Sequence, residues 1–162
     1  MRNYCFLLFL VLTVSFQFSC SDNMPAVFPY TLIPGVGIEQ LKLGESGEQA
    51  QQQFGDPVLK FTQDGSNRIH YMQYFSEGLE FYFAPTESDD PDLTLPIVEI
   101  RASGQYAGNT DLGIIIGSQQ QQVRVIYGEP NFFDELLNQD QYSSGIYFCY
   151  DNEGFVQTIK VR

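Results

Sequence analysis

The chain has 162 residues and carries 20 aspartate and glutamate side chains against 8 lysine and arginine side chains, for a formal net charge of −12 at pH 7. A protein this acidic repels the phosphates of nucleic acid and the headgroups of anionic lipids, which excludes charge-driven binding to either. The same charge favours solubility and basic protein partners. Three cysteines and one histidine provide neither a disulfide framework nor the spacing of a zinc site.

The first residues are typical of an export signal. Arg2 precedes a run of almost wholly apolar residues, 4–18, that is too short for a typical membrane-spanning helix. The run closes on Ser19 and Cys20, which resembles the signal of bacterial lipoproteins. This resemblance implies a signal peptide over residues 1–19, acylation of Cys20, and an exported protein held by lipid at the outer membrane or cell surface. The alternatives are an ordinary secreted protein with a Cys20 thiol, or a Cys20–Cys149 disulfide.

Residues 20–36 are predicted to form a tether. Pro25, Pro29 and Pro34 lie within this segment, and proline at this density opposes a helix and favours an extended chain. The aromatic residues between the prolines are equally compatible with docking onto the domain that follows.

Two similar stretches, residues 43–57 and 116–130, indicate that the rest of the chain is a duplication. Each stretch predicts a short helix. A serine, Ser46 or Ser118, supplies the N-cap with a glutamine three residues later, and a glycine and a proline end the helix. We therefore predict two repeats, over residues 37–103 and 104–162.

Strands are predicted after each helix from alternating apolar residues. In the first repeat these strands cover residues 58–61, 68–75, 79–83 and 97–101. In the second repeat, residues 145–150 and 156–160 match the last two of them, while residues 131–141 are predicted to be a polar connection.

This order of elements carries a family resemblance. A helix ending in aromatic-Gly-x-Pro, as at Phe54 to Pro57, followed by a Tyr-bearing strand and a Gly-x-x-Phe strand, resembles the SmpA/OmlA (BamE-like) repeat. It is also similar to the β-lactamase-inhibitor-protein-like (BLIP-like) fold, which has two such units in tandem. The resemblance implies an α+β fold of two tandem repeats, each a short helix packed on a small antiparallel β-meander. It also implies a non-catalytic cell-envelope lipoprotein that binds another protein, in outer-membrane assembly, integrity or inhibition.

The candidate partner-binding residues are tyrosines and a glutamate on the outward face of the predicted strands, because exposed tyrosine is favoured in protein interfaces. An alternative is that these tyrosines only cover the sheet. A second alternative function is the binding of a small molecule or glycan in the groove between the repeats. The candidate residues are Tyr71, Glu80, Tyr82 and Tyr147.

Residues with catalytic or metal-binding potential lack the partners that such chemistry needs. His70 stands in a predicted strand with no nucleophile or metal ligand nearby in sequence, and Cys149 has aromatic and acidic neighbours that raise a thiol pKa. The acidic loop over residues 84–96 does not fit the calcium-binding EF-hand pattern. The sequence therefore predicts neither an enzyme nor a metal or cofactor site.

Overall fold

The computed structural model describes residues 30–64 and 67–162. The predicted signal peptide, the predicted acylation site Cys20 and most of the predicted tether lie outside these residues. The last part of that tether segment belongs to the folded domain, since residues 31–33 form a strand in which Leu32 is fully buried. Neither of the two described helices has the length and apolar character needed to cross a membrane.

The described residues form twelve strands and two helices. The helices are α1 (Gly47–Phe54) and α2 (Gln120–Tyr127). The strands are β1 (Thr31–Ile33), β2 (Gly37–Ile38), β3 (Leu41–Lys42), β4 (Val58–Asp64), β5 (Asn67–Tyr74), β6 (Leu79–Phe83), β7 (Ile97–Ser103), β8 (Asn109–Thr110), β9 (Phe132–Asp134), β10 (Gln139–Tyr142), β11 (Ile146–Tyr150) and β12 (Val156–Val161).

Eight of the strands form one antiparallel sheet in the order β4-β5-β6-β7-β12-β11-β10-β9. Its central pair, β7 and β12, joins four strands from the first half of the chain to four from the second half. In each half, one helix precedes the four strands. The other strands form a small sheet in the order β3-β2-β1-β8, in which β1 runs parallel to β8.

The predicted α+β class is wrong, because the fold is mostly β. The helices have only eight residues each, whereas the strands form sheets of eight and four. The prediction missed β9 and β10 within residues 131–141, where a polar connection was expected. Gln139 and Asp140 of β10 are both buried, and other polar side chains satisfy them with hydrogen bonds. Binary patterning cannot identify such a strand, because its buried residues are polar.

The hydrophobic core lies on one face of the eight-stranded sheet. Both helices and the small sheet contribute to the same cluster of buried side chains on that face. Phe54, at the end of α1, contacts the rings of Tyr74 and Phe81, and Tyr127, at the end of α2, contacts the corresponding rings of β10 and β11. Helices this short are marginal in water, so this packing is what stabilises them.

The two predicted helix caps have different outcomes. The capping box at α1 is confirmed, because Ser46 accepts from the Gln49 backbone and its own N–H donates to the Gln49 side chain. The cap predicted at Ser118 is wrong, since α2 is capped by Gln119 without a side-chain bond. The Ser118 hydroxyl instead accepts from the backbone N–H of Ile115.

Candidate functional site

The opposite face of the eight-stranded sheet is the candidate site, and we call it the open face. Its side chains alternate with the core residues, and the helices and the small sheet pack on the other side. One row of residues in register crosses all eight strands of this face. The row consists of Val58, Gln73, Glu80, Arg101, Lys160, Tyr147, Gln141 and Phe132.

A buried carboxylate with two guanidinium partners lies at the centre of the open face. Glu99 on β7 is only 4 % exposed, and its two oxygens accept separately from the Nε atoms of Arg101 and Arg162. Burying a carboxylate costs several kcal/mol unless it is paired, and these two cations supply that pairing. The result is a fixed cluster with one more positive than negative charge.

Tyr82 connects this cluster to the first half of the sheet. The guanidinium of Arg101 lies 3.8 Å from the centre of the Tyr82 ring, and the Tyr71 ring stacks on the same side chain with centroids 4.6 Å apart. The Tyr82 hydroxyl donates to Glu80 and accepts from Arg101. Burial, followed by the hydrogen bond to Glu80, raises the pKa of Tyr82. This side chain is therefore a neutral, rigid part of the surface.

A second set of polar side chains, on β12, β11 and β10, lies beside the charged cluster. Lys160 Nζ donates to Gln139 Oε1 over 2.8 Å, and the Cys149 thiol donates to the same oxygen over 3.1 Å. Burial is the largest influence on Cys149 and raises the pKa of its thiol, although Lys160 opposes this. A protonated, half-buried thiol is a poor nucleophile.

A small cavity opens beside the central cluster. It has a volume of about 230 Å³ and is lined by the charged cluster, by Tyr82 and by apolar residues of β5, β6, β7 and the loop after β6. The lining residues are Ile69, Tyr82, Phe83, Pro85, Val98, Glu99, Arg101 and Arg162.

The four sequence-predicted site residues are brought together only in part. Tyr71, Glu80 and Tyr147 lie on the open face and are partly exposed, whereas Tyr82 lies on that face but is 6 % exposed. Tyr82 therefore lies on the predicted outward face of its strand but is covered there, because Tyr71 and Arg101 pack over its ring. Tyr147 lies across the centre from the other three and meets the guanidinium of Arg162 at 5.3 Å.

Sequence analysis missed the charged centre of the site. Its signal was present in the alternation of two strands, where Glu99 and Arg101 flank buried Ile100, and Lys160 and Arg162 flank buried Val161. Tyrosines in a sequence suggest a binding surface because they are common in interfaces, whereas isolated charges in strands are usually solvated. Their convergence depends on the pairing of β7 with β12, which the sequence does not specify.

The other residues considered for chemistry take structural positions. His70 is buried on the core side, with Nε2 3.0 Å from the backbone oxygen of Ser88, so it holds the acidic loop against β5. Cys149 forms no disulfide within the described part of the chain. Among residues 30–64 and 67–162, no three histidine, cysteine or acidic side chains are placed to hold a metal ion.

Comparisons with known proteins do not place the chain in a family. No family model matches it, and no curated protein is similar to it in sequence. A cysteine-rich secretory protein from Staphylococcus aureus superposes with a TM-score of 0.46 at 13% identity, over 80% of this chain and 48% of that one. This chain thus spans about half the length of the solved structure it matches.

The SmpA/OmlA and BLIP-like resemblance predicted from the sequence is wrong, since no family model matches the chain and its fold is mostly β rather than two α+β repeats. The motif that suggested it consists of helix-ending residues. Gly55 and Gly128 both have positive φ values, +81° and +82°, where glycine is favoured for conformational reasons. Such a pattern is shared by many unrelated helix ends.

Proposed function

We propose that this chain is a non-catalytic, exported protein of the bacterial cell envelope that binds another protein through the open face of its eight-stranded sheet. An acyl group on Cys20 would hold it at the outer membrane or cell surface. Outer-membrane assembly, envelope integrity and inhibition of a partner are all roles that such binding would serve.

The observation that carries this proposal is the composition of the open face. A row of large side chains crosses eight strands, which at the usual strand spacing is about 34 Å wide. Such a width suits an interface of standard size. Tyrosine and arginine, the residues most enriched at interface hot spots, are partly exposed near the centre of the open face in Tyr71, Arg101 and Tyr147.

The rigidity of the face also supports binding. Arg101 is held by Glu99 and Tyr82, and Lys160 is held by Gln139. Side chains that are already ordered lose less conformational entropy when a partner docks. The face is therefore preorganised for recognition.

Site-specific photo-crosslinking in the native cells tests the proposal. A photoreactive phenylalanine analogue replaces Tyr147 on the open face or, as a control, the exposed Gln52 on α1. We expect the Tyr147 probe to give a discrete covalent adduct with one protein, which mass spectrometry identifies, and the Gln52 probe to give none. Equal adducts from both positions, or none from Tyr147, would contradict binding by the open face.

The proposed anchor has a separate test. Cys20→Ala should move the protein from the membrane fraction to the soluble fraction and abolish the mass increase that acylation causes. A variant that remains in the membrane fraction with an unchanged mass would refute lipid anchoring without bearing on the open face.

A further inference from the structure

We propose that the cavity beside the charged cluster of the open face receives an acidic side chain with an apolar neighbour, presented by an extended internal segment of the partner protein. This inference rests on the proposed function and specifies the chemistry of the partner.

The charge at the centre of the open face opposes that of the whole chain. The sequence has 8 lysine and arginine side chains against 20 acidic ones. On the central strands β6, β7, β12 and β11 and at Arg162 directly after β12, however, the open face carries three cations, Arg101, Lys160 and Arg162, against two anions, Glu80 and Glu99. A partner that is basic overall is attracted to the rest of the molecule, but its contact with this centre is favourable where it presents a carboxylate.

The two guanidinium groups retain unused donors. Each guanidinium offers several N–H groups arranged for bidentate binding of a carboxylate. Within the described residues, Arg101 makes hydrogen bonds through Nε and Nη1, and Arg162 makes one through Nε alone. The side chain of Arg162 is 52% exposed, so its terminal nitrogens are accessible to a ligand carboxylate.

The cavity beside these donors is apolar on its remaining sides. Ile69, Pro85 and Val98 provide its apolar walls, and its volume of about 230 Å³ suits one aliphatic or aromatic side chain rather than a large ligand. A segment that binds here thus places an apolar group in the cavity while its neighbouring carboxylate reaches Arg162. A segment with acidic residues alone, without an apolar neighbour, would leave the cavity empty.

An internal segment fits better than a chain terminus. The cavity opens onto a face that continues on both sides, in register toward Tyr71 and Lys60 in one direction and past Arg162 to the ring of Tyr147 in the other. A segment that passes through the centre contacts both sides, whereas a terminus contacts only one. We therefore assign the carboxylate to an aspartate or glutamate side chain.

A display experiment identifies the preferred chemistry. Random linear peptides, displayed inside a longer protein so that no free terminus is offered, are selected on the purified full chain. We expect enriched sequences to contain aspartate or glutamate next to an apolar residue. An enriched peptide is then synthesised with both ends blocked, together with a copy in which the acid is replaced by its amide and a copy with a free carboxyl terminus.

Variants of the chain establish where these peptides bind. Arg162→Gln removes one cation and leaves Glu99 paired with Arg101, so we expect the blocked acidic peptide to bind about tenfold more weakly. Lys42→Gln is the matched control, because Lys42 is exposed and lies outside the open face; we expect less than about a twofold change. Replacing the acid by its amide should weaken binding to the wild type as much as Arg162→Gln does.

The possible failures are distinguishable. Enriched peptides without acids whose binding is lost in Tyr147→Ala would overturn this inference and leave the proposed function in place. A requirement for the free carboxyl terminus would overturn the assignment to an internal side chain. Absence of enrichment, or peptides equally affected by Arg162→Gln and Lys42→Gln, would also reject it, while photo-crosslinking at Tyr147 decides the proposed function independently.

Discussion

Arg124 on α2 and Asp140 on β10 form a two-bonded ion pair between helix and sheet. Nε donates to Oδ2 over 3.0 Å and Nη2 donates to Oδ1 over 2.8 Å, while the hydroxyl of Tyr150 donates to Oδ2 over 2.8 Å. Asp140 is fully buried. These three hydrogen bonds compensate a carboxylate that lies in the core.

In the first half of the chain, the three positions that correspond to Arg124, Asp140 and Tyr150 contain no buried charge. Counting from the glycines that begin each stretch, Gln51 corresponds to Arg124, and the strand register aligns the other two positions. The buried members of the first-half set are Met72 and Phe83, which correspond to Asp140 and Tyr150. One architecture thus packs a helix on a sheet in two chemically different ways.

Asp140→Ala is expected to lower the free energy of unfolding by about 3 kcal/mol, because it leaves the Arg124 guanidinium and the Tyr150 hydroxyl without their acceptor. Urea unfolding followed by circular dichroism measures this, since the chain has no tryptophan. The matched variant Arg124→Gln/Asp140→Met/Tyr150→Phe copies the first half, and we expect it to lie within about 2 kcal/mol of the wild type. A triple variant less stable than Asp140→Ala would show that the apolar set does not transfer.

These two halves show which parts of the fold the sequence predicts. The strand β6 is correctly predicted, because its core-facing residues Leu79, Phe81 and Phe83 alternate strictly and are apolar. Gln139 and Asp140 were assigned to a connection, because no local pattern shows that Lys160 and Arg124 will satisfy them. Local periodicity predicts a strand when burial is apolar, and fails when distant partners make polar burial possible.

Prediction of the candidate site from the sequence is limited for the same reason, because sequence patterns are local. The candidate residues were identified individually, and three of the four, Tyr71, Glu80 and Tyr147, are partly exposed on the open face. Glu99 and its partner Arg162 are 63 residues apart. Their meeting follows from the pairing of β7 with β12, which is information about topology rather than about composition.

The unequal caps of the two helices give a second prediction. Ser46→Ala should destabilise the chain by about 1 kcal/mol, because α1 loses the serine half of its capping box. Gln119→Asp should stabilise it by about 0.5–1 kcal/mol, because the Gln119 side chain makes no capping bond and an aspartate there also favours the helix dipole. Thermal unfolding of the two variants measures both effects, and a destabilising Gln119→Asp would contradict the assignment of that cap.

Alkaline pH should destabilise the fold through its buried tyrosines. Burial, together with nearby carboxylates, raises the pKa values of Tyr74 and Tyr142 from 10.0 to about 12. Below pH 10.0 both the folded and the unfolded chain keep the proton on each tyrosine hydroxyl. Between these values the unfolded state loses the proton while the folded state keeps it, so the free energy of unfolding falls as pH rises through this window.

Tyr142→Phe isolates this effect. The variant loses the hydrogen bond from the Tyr142 hydroxyl to the backbone oxygen of Gly128, which should cost about 1 kcal/mol near neutral pH. Its stability should then fall less steeply than that of the wild type between pH 10 and about 12, because one titrating group is absent. Unfolding free energies measured by urea titration at several pH values provide the comparison, and parallel slopes would exclude Tyr142 as a contributor.

The outer surface of α2 supplies the last prediction. Val125 and Ile126 are 78% and 40% exposed, and the matching positions on α1 are Gln52 and Gln53. Val125→Gln/Ile126→Gln should leave stability within about 0.5 kcal/mol of the wild type, because glutamine forms helices at least as well as β-branched residues and little apolar burial is lost. The variant should also be more soluble, since two exposed apolar side chains are removed. Thermal unfolding and light scattering at increasing protein concentration measure the two effects, and a loss of several kcal/mol would mean that α2 is more deeply packed than its exposure indicates.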